Sequence, residues 1–353
     1  PPRPARLSQD GTGPVCRKAH VLRRRRSKIH VTALSLLILG SAHSALAGCT
    51  EPSGAGAGED SVPSTSTAPE PTSPTTTSAP VPDPTKAGAV SVARDVVYRD
   101  VDGEQIRLDV CRARGPDGQG ADGPSAAVLL VHGGAFTAGD KDAPRWQELC
   151  ALLAESGFVA VNLNYRLAPA HRFPAAIEDV QAAVEWTRAN AQTYGIDPDR
   201  VGVLGGSAGA NLAQLLGTSG TGSTAVGSRV AAVVSLSGAA DLTERALTLG
   251  EPDPTQIRRV LDYLGCTQIA DCPAGAAASP ITQVDPSDPP FMLVQSENES
   301  LPVEQTQVMA DALTAAGVAP EVLIVPGSAH ATGLLEDPSV TDAVLAFLAR
   351  TLG

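Results

Sequence analysis

The serine at position 207 stands in a setting that suits a nucleophile. Residues 205–209 read Gly-Gly-Ser-Ala-Gly, after a short β-rich run (201–204) and before a helical pattern (210–216). A serine on a tight turn between a strand and a helix exposes its hydroxyl above the sheet edge. Flanking glycines let another part of the backbone cross closely, and the helix N-terminus favours developing negative charge. This arrangement predicts nucleophilic catalysis by Ser207.

A second glycine-rich turn offers backbone donors. Residues 132–136 read His-Gly-Gly-Ala-Phe and follow the apolar run 127–131. Small residues at such a turn let backbone N–H groups point into a site. Together with the N–H that follows the serine, these groups can hold the oxyanion of a tetrahedral intermediate. The predicted oxyanion hole therefore comprises Gly133, Gly134, Ala135 and Ala208.

The general base is found by elimination. Of the six histidines, those at 20, 30 and 43 lie in the first 48 residues, and those at 132 and 171 precede the serine. Only His330 follows Ser207, just after the apolar run 321–325. Serine, acid and histidine in that order is one of the known chain orders of a triad, in which the imidazole takes the serine proton and returns it to the leaving group.

The acid of the triad is less closely defined by the sequence. It should follow the apolar run 291–295, where residues 296–302 read Ser-Glu-Asn-Glu-Ser-Leu-Pro. A buried carboxylate there would accept a hydrogen bond from the histidine Nδ1–H and fix its tautomer. We assign this role to Glu299, and the alternatives are Glu297, Asp241 and Asp288.

The elements that position these residues alternate between strands and helices. Short, nearly unbroken apolar runs predict strands buried on both faces, and the helical patterns between them predict a doubly wound, mostly parallel sheet of the α/β class. Ligands of such sheets bind at the carboxyl ends of the strands. The predicted strands are 127–131, 159–163, 201–204, 230–236, 291–295 and 321–325, and further helices are predicted at 174–190, 303–316 and 338–352.

The first 48 residues are typical of an export signal. A basic cluster (23–28) precedes an apolar stretch (31–47), which ends in Leu-Ala-Gly before Cys49. Basic, apolar and small-residue regions in this order form a secretory signal. The ending resembles the lipobox of bacterial lipoproteins, which implies a lipid on Cys49 and an anchor at the outer face of the cytoplasmic membrane. The alternatives are a transmembrane anchor, a buried helix or a secreted chain, but for a membrane span the apolar stretch is short and interrupted.

A polar tether is predicted to follow. Of residues 50–85, 22 are Pro, Thr or Ser, and such a composition buries too little apolar surface to fold. The predicted organisation is therefore a leader at 1–48, a lipidated Cys49 with its tether at 49–86, and one catalytic domain at 87–353.

Four of the six cysteines fall in the predicted domain. An even number in an exported domain suggests two disulfides, Cys111 with Cys150 and Cys266 with Cys272, the second pair bracketing a short loop. Four buried thiols are the alternative. No cysteine spacing matches a zinc site, so no metal is predicted.

Net charge argues against a nucleic-acid partner. The chain carries 26 basic and 38 acidic side chains, but only one of the acids precedes Cys49, together with nine of the basic residues. The rest has a net charge of −20, which repels phosphate backbones.

Taken together, four motifs resemble those of the α/β-hydrolase fold, in the branch of hormone-sensitive-lipase-like and bacterial esterases. They are His-Gly-Gly at 132–134, Asn-Tyr-Arg-Leu-Ala-Pro at 164–169, Gly-Gly-Ser-Ala-Gly-Ala-Asn-Leu-Ala at 205–213 and Gly-Ser-Ala-His at 327–330. The resemblance covers 96–353. It implies hydrolysis of small or short-chain carboxylic esters through a serine acyl-enzyme, with no cofactor. Residues 240–280 would form a small lid or pocket wall.

The chain departs from that family at two positions. Ala135 stands where the family often has a third glycine, and Asn298 stands where it often has the triad aspartate. We read Glu299 as the replacement. The alternatives to an esterase are an amidase or peptidase on the same fold, or a catalytically silent lipoprotein that binds a ligand. The sequence does not indicate an oligomeric state.

Overall fold

The computed structural model describes residues 90–114 and 123–353. Within these ranges eight strands form one sheet, in the order β1-β2-β4-β3-β5-β6-β7-β8. The pairs β1–β2 and β2–β4 are antiparallel, and β3 to β8 are parallel, which confirms the predicted mostly parallel sheet. The strands are β1 (Val90–Val101), β2 (Glu104–Ala113), β3 (Ser125–Val131), β4 (Val159–Leu163), β5 (Ile196–Gly206), β6 (Ala232–Leu236), β7 (Phe291–Ser296) and β8 (Glu321–Val325).

Helices cover both faces of the sheet. Alternate residues of β3 enter two separate cores, Leu129 on one face and Leu130 on the other, so both faces of this strand are buried as its unbroken apolar sequence predicts. The helices are α1 (Pro144–Glu155), α2 (Ala175–Ala189), α3 (Ala191–Tyr194), α4 (Ala208–Gly217), α5 (Pro254–Leu264), α6 (Pro273–Ala277), α7 (Glu304–Ala315) and α8 (Pro338–Leu352).

Strand β8 departs from the prediction of burial on both faces. It occupies an edge of the sheet, with β7 as its neighbour. Glu321 and Val322 are exposed, and the other three residues are half-buried. Fewer elements surround an edge strand, so an apolar run of five residues is only partly covered there. The predicted strand at 230–236 is also shorter in the structure, where β6 begins at Ala232.

Two disulfides tie peripheral segments to the fold. Cys111 on β2 is bonded to Cys150 on α1, and Cys266 is bonded to Cys272 in the loop after α5. Residues 240–280 contain a 3₁₀ segment (Glu244–Thr248), α5 and α6. The 3₁₀ segment and α5 line a cleft, as predicted, whereas α6 does not. The predicted signal peptide, Cys49 and the tether lie outside the described residues. No helix in the two described ranges is both long and apolar enough to cross a bilayer.

Candidate active site

Ser207 occupies the turn between β5 and α4. Its backbone has φ 55° and ψ −118°, a strained conformation for a residue with a Cβ. Its N–H donates to the carbonyl of Leu236 at 2.8 Å, which anchors the turn to β6. A Cβ at Gly209 would collide with the carbonyl oxygens of Val131 and His132, so glycine is needed where the turn passes the end of β3.

The turn at 132–136 packs directly against the serine turn. A Cβ on Gly133 would lie 2.8 Å from the Gly206 carbonyl oxygen and 3.1 Å from Ser207 Cβ. His132 Nδ1 lies 2.9 Å from the Gly133 carbonyl oxygen, which accepts a hydrogen bond from it. Because C=O and N–H point in opposite directions across a trans peptide, this bond orients the Gly134 N–H away from His132. Burial lowers the pKa of His132, so its ring is neutral.

Ala135 and Phe136 continue this turn in the left-handed region, with φ values of 52° and 64°. Glycine would adopt this conformation at no cost, whereas alanine and phenylalanine do not. No hydrogen bond within the described residues uses the backbone N–H of Gly133, Gly134 or Ala135. The N–H of Ala208 is at the first position of α4, where no intrahelical acceptor exists. These four amides thus have no acceptor among the described residues.

The segment 164–169 forms hydrogen bonds with the glycine turn at 132–136. Tyr165 Oη donates to the His132 carbonyl at 2.8 Å, and the two rings stack with centroids 4.4 Å apart. The N–H of Ala168 donates to the Phe136 carbonyl at 2.9 Å. Arg166 donates from Nε and Nη2 to the buried Asp179 on α2, at 2.8 and 3.0 Å. Arg166 thus anchors the segment to α2, and Tyr165 bonds the segment to the glycine turn.

His330 and Glu299 meet at the carboxyl ends of β7 and β8. His330 Nδ1 contacts Glu299 Oε2, and the Glu299 side chain is fully buried while that of His330 is 35% exposed. The other carboxylate oxygen, Oε1, accepts from Ser237 Oγ at 2.8 Å and from the Ser296 N–H at 3.2 Å. Three donors thus surround one buried carboxylate, which balances the cost of its burial.

The other candidate acids lie elsewhere. Glu297 is exposed. Asp241 accepts from the Thr243 N–H and Oγ1 at 2.8 and 2.6 Å, which occupies its Oδ1. Asp288 lies 3.7 Å from Arg229, and burial raises its pKa to about 6. None of these three carboxylates contacts His330 in the described structure.

Ser237 was missed by the sequence reasoning. It follows β6 with φ 58° and is fully buried. Its hydroxyl donates to Glu299 and accepts from the Ala331 N–H at 3.0 Å, so it joins the carboxylate to the residue after the histidine. The local sequence Ser-Leu-Ser-Gly is ordinary, and only the position of the serine after a parallel strand could have pointed to it.

Two clefts open on the serine. The first has an empty volume of about 450 Å³ and is lined by Ser207 and His330 together with apolar side chains such as Phe136 and Leu242. The second, of about 800 Å³, is lined by the same two residues and by Asp140, Arg259 and the glycine turn. The predicted serine, histidine and oxyanion donors therefore border one site at the carboxyl ends of the strands.

A buried lysine, Lys141, follows the glycine turn and forms ion pairs with three aspartates. Lys141 Nζ lies 2.9, 3.0 and 2.8 Å from carboxylate oxygens of Asp95, Asp109 and Asp142, with 2% of its side chain exposed. Its backbone N–H donates to Asn164 Oδ1 at 2.7 Å. Burial favours the neutral amine, but the three carboxylates outweigh it and hold the pKa of Lys141 above its usual value. The ammonium thus fastens the end of the turn to β2.

Lys141→Met is expected to lower the free energy of unfolding by about 3–5 kcal/mol, because it leaves the fully buried Asp109 without its closest cation. Urea unfolding followed by tryptophan fluorescence measures the loss. Arg94→Met is the matched control, since Arg94 is 3.5 Å from the same carboxylate but 56% exposed, and it should cost less than about 1 kcal/mol. Equal losses in the two variants would contradict the role given to Lys141.

Comparison with known proteins shows that the chain is similar to proteins described as esterases. A family profile described as BD-FAE matches residues 117–313. The probable carboxylic ester hydrolase LipM of Mycobacterium tuberculosis (strain ATCC 25618 / H37Rv) is 31% identical over 251 residues, which cover 68% of this chain and 56% of LipM. Esterase LipQ of the same strain is 33% identical over 265 residues, covering 71% of this chain and 61% of LipQ. The chain thus spans less than two thirds of the length of these curated relatives.

Solved structures share the fold. A truncated carbohydrate esterase from gut microbiota superposes with a TM-score of 0.63 at 23% identity, over 74% of this chain and 96% of that one. The sheet order, the position of the site at the carboxyl ends of the strands and the profile match over more than half of the chain agree. The chain belongs to the BD-FAE family and has the α/β-hydrolase fold.

Proposed function

We propose that this chain is a serine carboxylic-ester hydrolase that acts on small esters through Ser207, His330 and Glu299. The observation that carries the proposal is the contact of His330 Nδ1 with the buried Glu299, made by a histidine that shares two clefts with the strained Ser207. The carboxylate keeps the proton on Nδ1, which leaves Nε2 free to accept the serine proton.

The reaction then proceeds in two halves. Ser207 Oγ attacks the ester carbonyl carbon while its proton moves to His330 Nε2. The amides of Gly133, Gly134, Ala135 and Ala208 stabilise the resulting oxyanion. The C–O bond to the alcohol breaks as His330 returns the proton to it, leaving an acyl-enzyme. Water then attacks the acyl carbon while His330 takes its proton. The bond between that carbon and Ser207 Oγ breaks as His330 returns the proton to Oγ, which releases the carboxylic acid.

The curated relatives support this proposal by their names. LipM is described as a probable carboxylic ester hydrolase and LipQ as an esterase. Neither name specifies an acyl or alcohol group.

A fluorophosphonate tests the proposal directly. An activated serine forms an Oγ–P bond with it and displaces fluoride. We expect the intact mass of the full chain to increase by one adduct, mapped by peptide mass to Ser207, alongside hydrolysis of p-nitrophenyl acetate. The Ser207→Ala variant should take up no adduct. A folded wild-type chain that neither reacts nor hydrolyses the ester would refute the proposal.

Ser237→Ala is expected to lower kcat by about 10- to 100-fold, the contribution of one hydrogen bond to a charged group. Without its hydroxyl, Glu299 loses one donor and the Ala331 N–H loses its acceptor, so both partners of the triad are held less firmly. Steady-state hydrolysis of p-nitrophenyl acetate measures the effect.

Ser235→Ala provides the control for that variant. Ser235 lies on β6, two residues before Ser237, and is also buried, but its hydroxyl accepts from Gln214 Nε2 at 2.7 Å and touches no triad residue. Its replacement should leave kcat close to that of the wild type. A comparable fall in both variants would mean that Ser237 acts only through general packing.

We also propose that the domain is exported and anchored through a lipid on Cys49. The order of basic, apolar and small residues before Cys49 supports this, and two disulfides suit an oxidising compartment. Expression in a bacterium should place the wild-type chain in the membrane fraction, extractable by detergent. Cys49→Ala should lose this association and incorporate no labelled palmitate. Membrane association that is unchanged in the variant would contradict the anchor.

A further inference from the structure

A second apolar compartment borders the cleft beside Ser207. This outer compartment has an empty volume of about 480 Å³ and shares six lining residues with the inner cleft, Ala239, Leu242, Gln256, Val260, Ser300 and Leu301. The two compartments are therefore immediate neighbours, and Ser207 lines the inner one. Helix α5 forms much of this wall through Val260 and Ile257.

Five polar residues line the outer compartment; Gln256 and Ser300 are two of them, and the side chains of the other three already form hydrogen bonds. Asp253 accepts from the Thr255 N–H at 2.6 Å. Gln305 accepts from the backbone amides of residues 240 and 241 at 2.9 Å each. The carboxylate of Asp241 is bonded to Thr243. The remaining lining is mostly apolar and includes Leu247, which is 40% exposed and lines the outer compartment but not the inner cleft. An apolar chain therefore fits this space better than a sugar or a peptide.

The cleft of about 800 Å³ beside Ser207 has more polar side chains than the apolar cleft. It is lined by the glycine turn, Asp140, Arg259, Thr332 and the ring of Trp146. It shares Ala135, Ser207, Gln256 and His330 with the apolar cleft. Arg259 and Asp140 are both exposed, and neither forms an ion pair within the described residues. This side suits a polar, hydroxylated group.

We propose that the substrate is a medium-chain acyl ester of a polar alcohol, with the acyl chain in the two apolar compartments and the alcohol in the polar cleft. Its acyl chain is thus longer than that of the short-chain esters which the family resemblance implies. The proposal rests on the proposed esterase function. It makes Val260 and Leu247 determinants of acyl length, Val260 where the compartments join and Leu247 in the outer one.

Three esters test which cleft takes the acyl chain and whether a longer acyl chain is preferred. Glycerol monooctanoate, glycerol monoacetate and octyl acetate are assayed below their micellar concentrations with the full chain, by titration of the acid released. We expect kcat/KM to be highest for glycerol monooctanoate, at least about tenfold above glycerol monoacetate, since each fully buried methylene is worth about fourfold. A preference for octyl acetate would overturn the assignment of the acyl side, and equal rates on all three would overturn the two-sided site.

Variants then place the chain in the outer compartment. Val260→Trp and, independently, Leu247→Trp should lower the ratio of kcat/KM for the octanoate to that for the acetate by about tenfold or more, because each fills space that the chain would occupy. Arg258→Trp, on the exposed face of α5 and outside both compartments, should leave the ratio unchanged. An unaltered ratio in both compartment variants would contradict the proposal.

These outcomes are distinct from failure of the esterase itself. If the proposed function is wrong, no ester is hydrolysed and the fluorophosphonate leaves Ser207 unlabelled. If only the substrate inference is wrong, Ser207 is labelled and glycerol monoacetate is hydrolysed, but the octanoate has no advantage.

Discussion

Replacing Ser207 with alanine is expected to reduce kcat for ester hydrolysis on the order of a million-fold, as loss of a triad nucleophile does elsewhere. The variant retains the amides at 133–135 and 208 and both clefts, so it should still bind substrate. Steady-state and single-turnover rates with p-nitrophenyl acetate measure the loss. Folding should be unaffected, because alanine keeps the Cβ and the same strained backbone (φ 55°).

A second serine of the site region controls for this change. Ser328 is exposed, two residues before His330 on the loop after β8. Ser328→Ala should retain wild-type kcat, and the unfolding midpoints of both variants should match that of the wild type. Hydrolysis by Ser207→Ala near the wild-type rate would show that another group is the nucleophile.

The serine turn was predictable because its signal is local. A buried parallel strand, a glycine-flanked serine and a helix follow one another within about twenty residues, and the physical demands of that turn fall on the same few positions. His330 was predictable by chain order, since no other histidine follows Ser207. The strands β4 and β8 were also bounded correctly, and each ends where Asn164 or Pro326 interrupts its apolar run.

The first two strands and α1 were not predicted. Strand β1 mixes charged and apolar residues without a clear period, and its pairing with β2 bulges at two places. A signal was present in the turn between them, where Asp102 and Gly103 have φ values of 54° and 88°. Asp-Gly between two β-prone segments is a strong hairpin pattern, and it would have located both strands.

The contacts of Lys141 and Ser237 could not be predicted from the sequence. The sequence around Lys141 does not distinguish it from other lysines and arginines. The fold brings Asp95 on β1 and Asp109 on β2 to its ammonium group. Ser237 likewise meets Glu299 across 62 positions of sequence. Such contacts depend on which strands are neighbours and in what register, which composition and periodicity do not specify. For the same reason, the sequence alone did not decide which candidate acid contacts His330.

Glu299→Gln is expected to lower kcat by about ten-thousand-fold, the loss known for neutralising a triad acid. The structure indicates how. Two donors, Ser237 Oγ and the Ser296 N–H, converge on Oε1, so the amide oxygen of glutamine settles there and its NH₂ group faces His330. The histidine must then accept at Nδ1 and carry its proton on Nε2, the tautomer that cannot take a proton from Ser207. Steady-state kinetics on p-nitrophenyl acetate measure the loss.

Glu297→Gln is the matched control, because it makes the same chemical change two residues away on an exposed side chain. A solvated carboxylate that touches no triad residue contributes little to orienting His330, so this variant should keep a kcat close to that of the wild type. The two glutamates share one loop, hence a general disturbance of that loop would affect both variants alike. A large loss confined to Glu299→Gln therefore reports the contact with His330, and a larger loss in Glu297→Gln would transfer the role of the acid to Glu297.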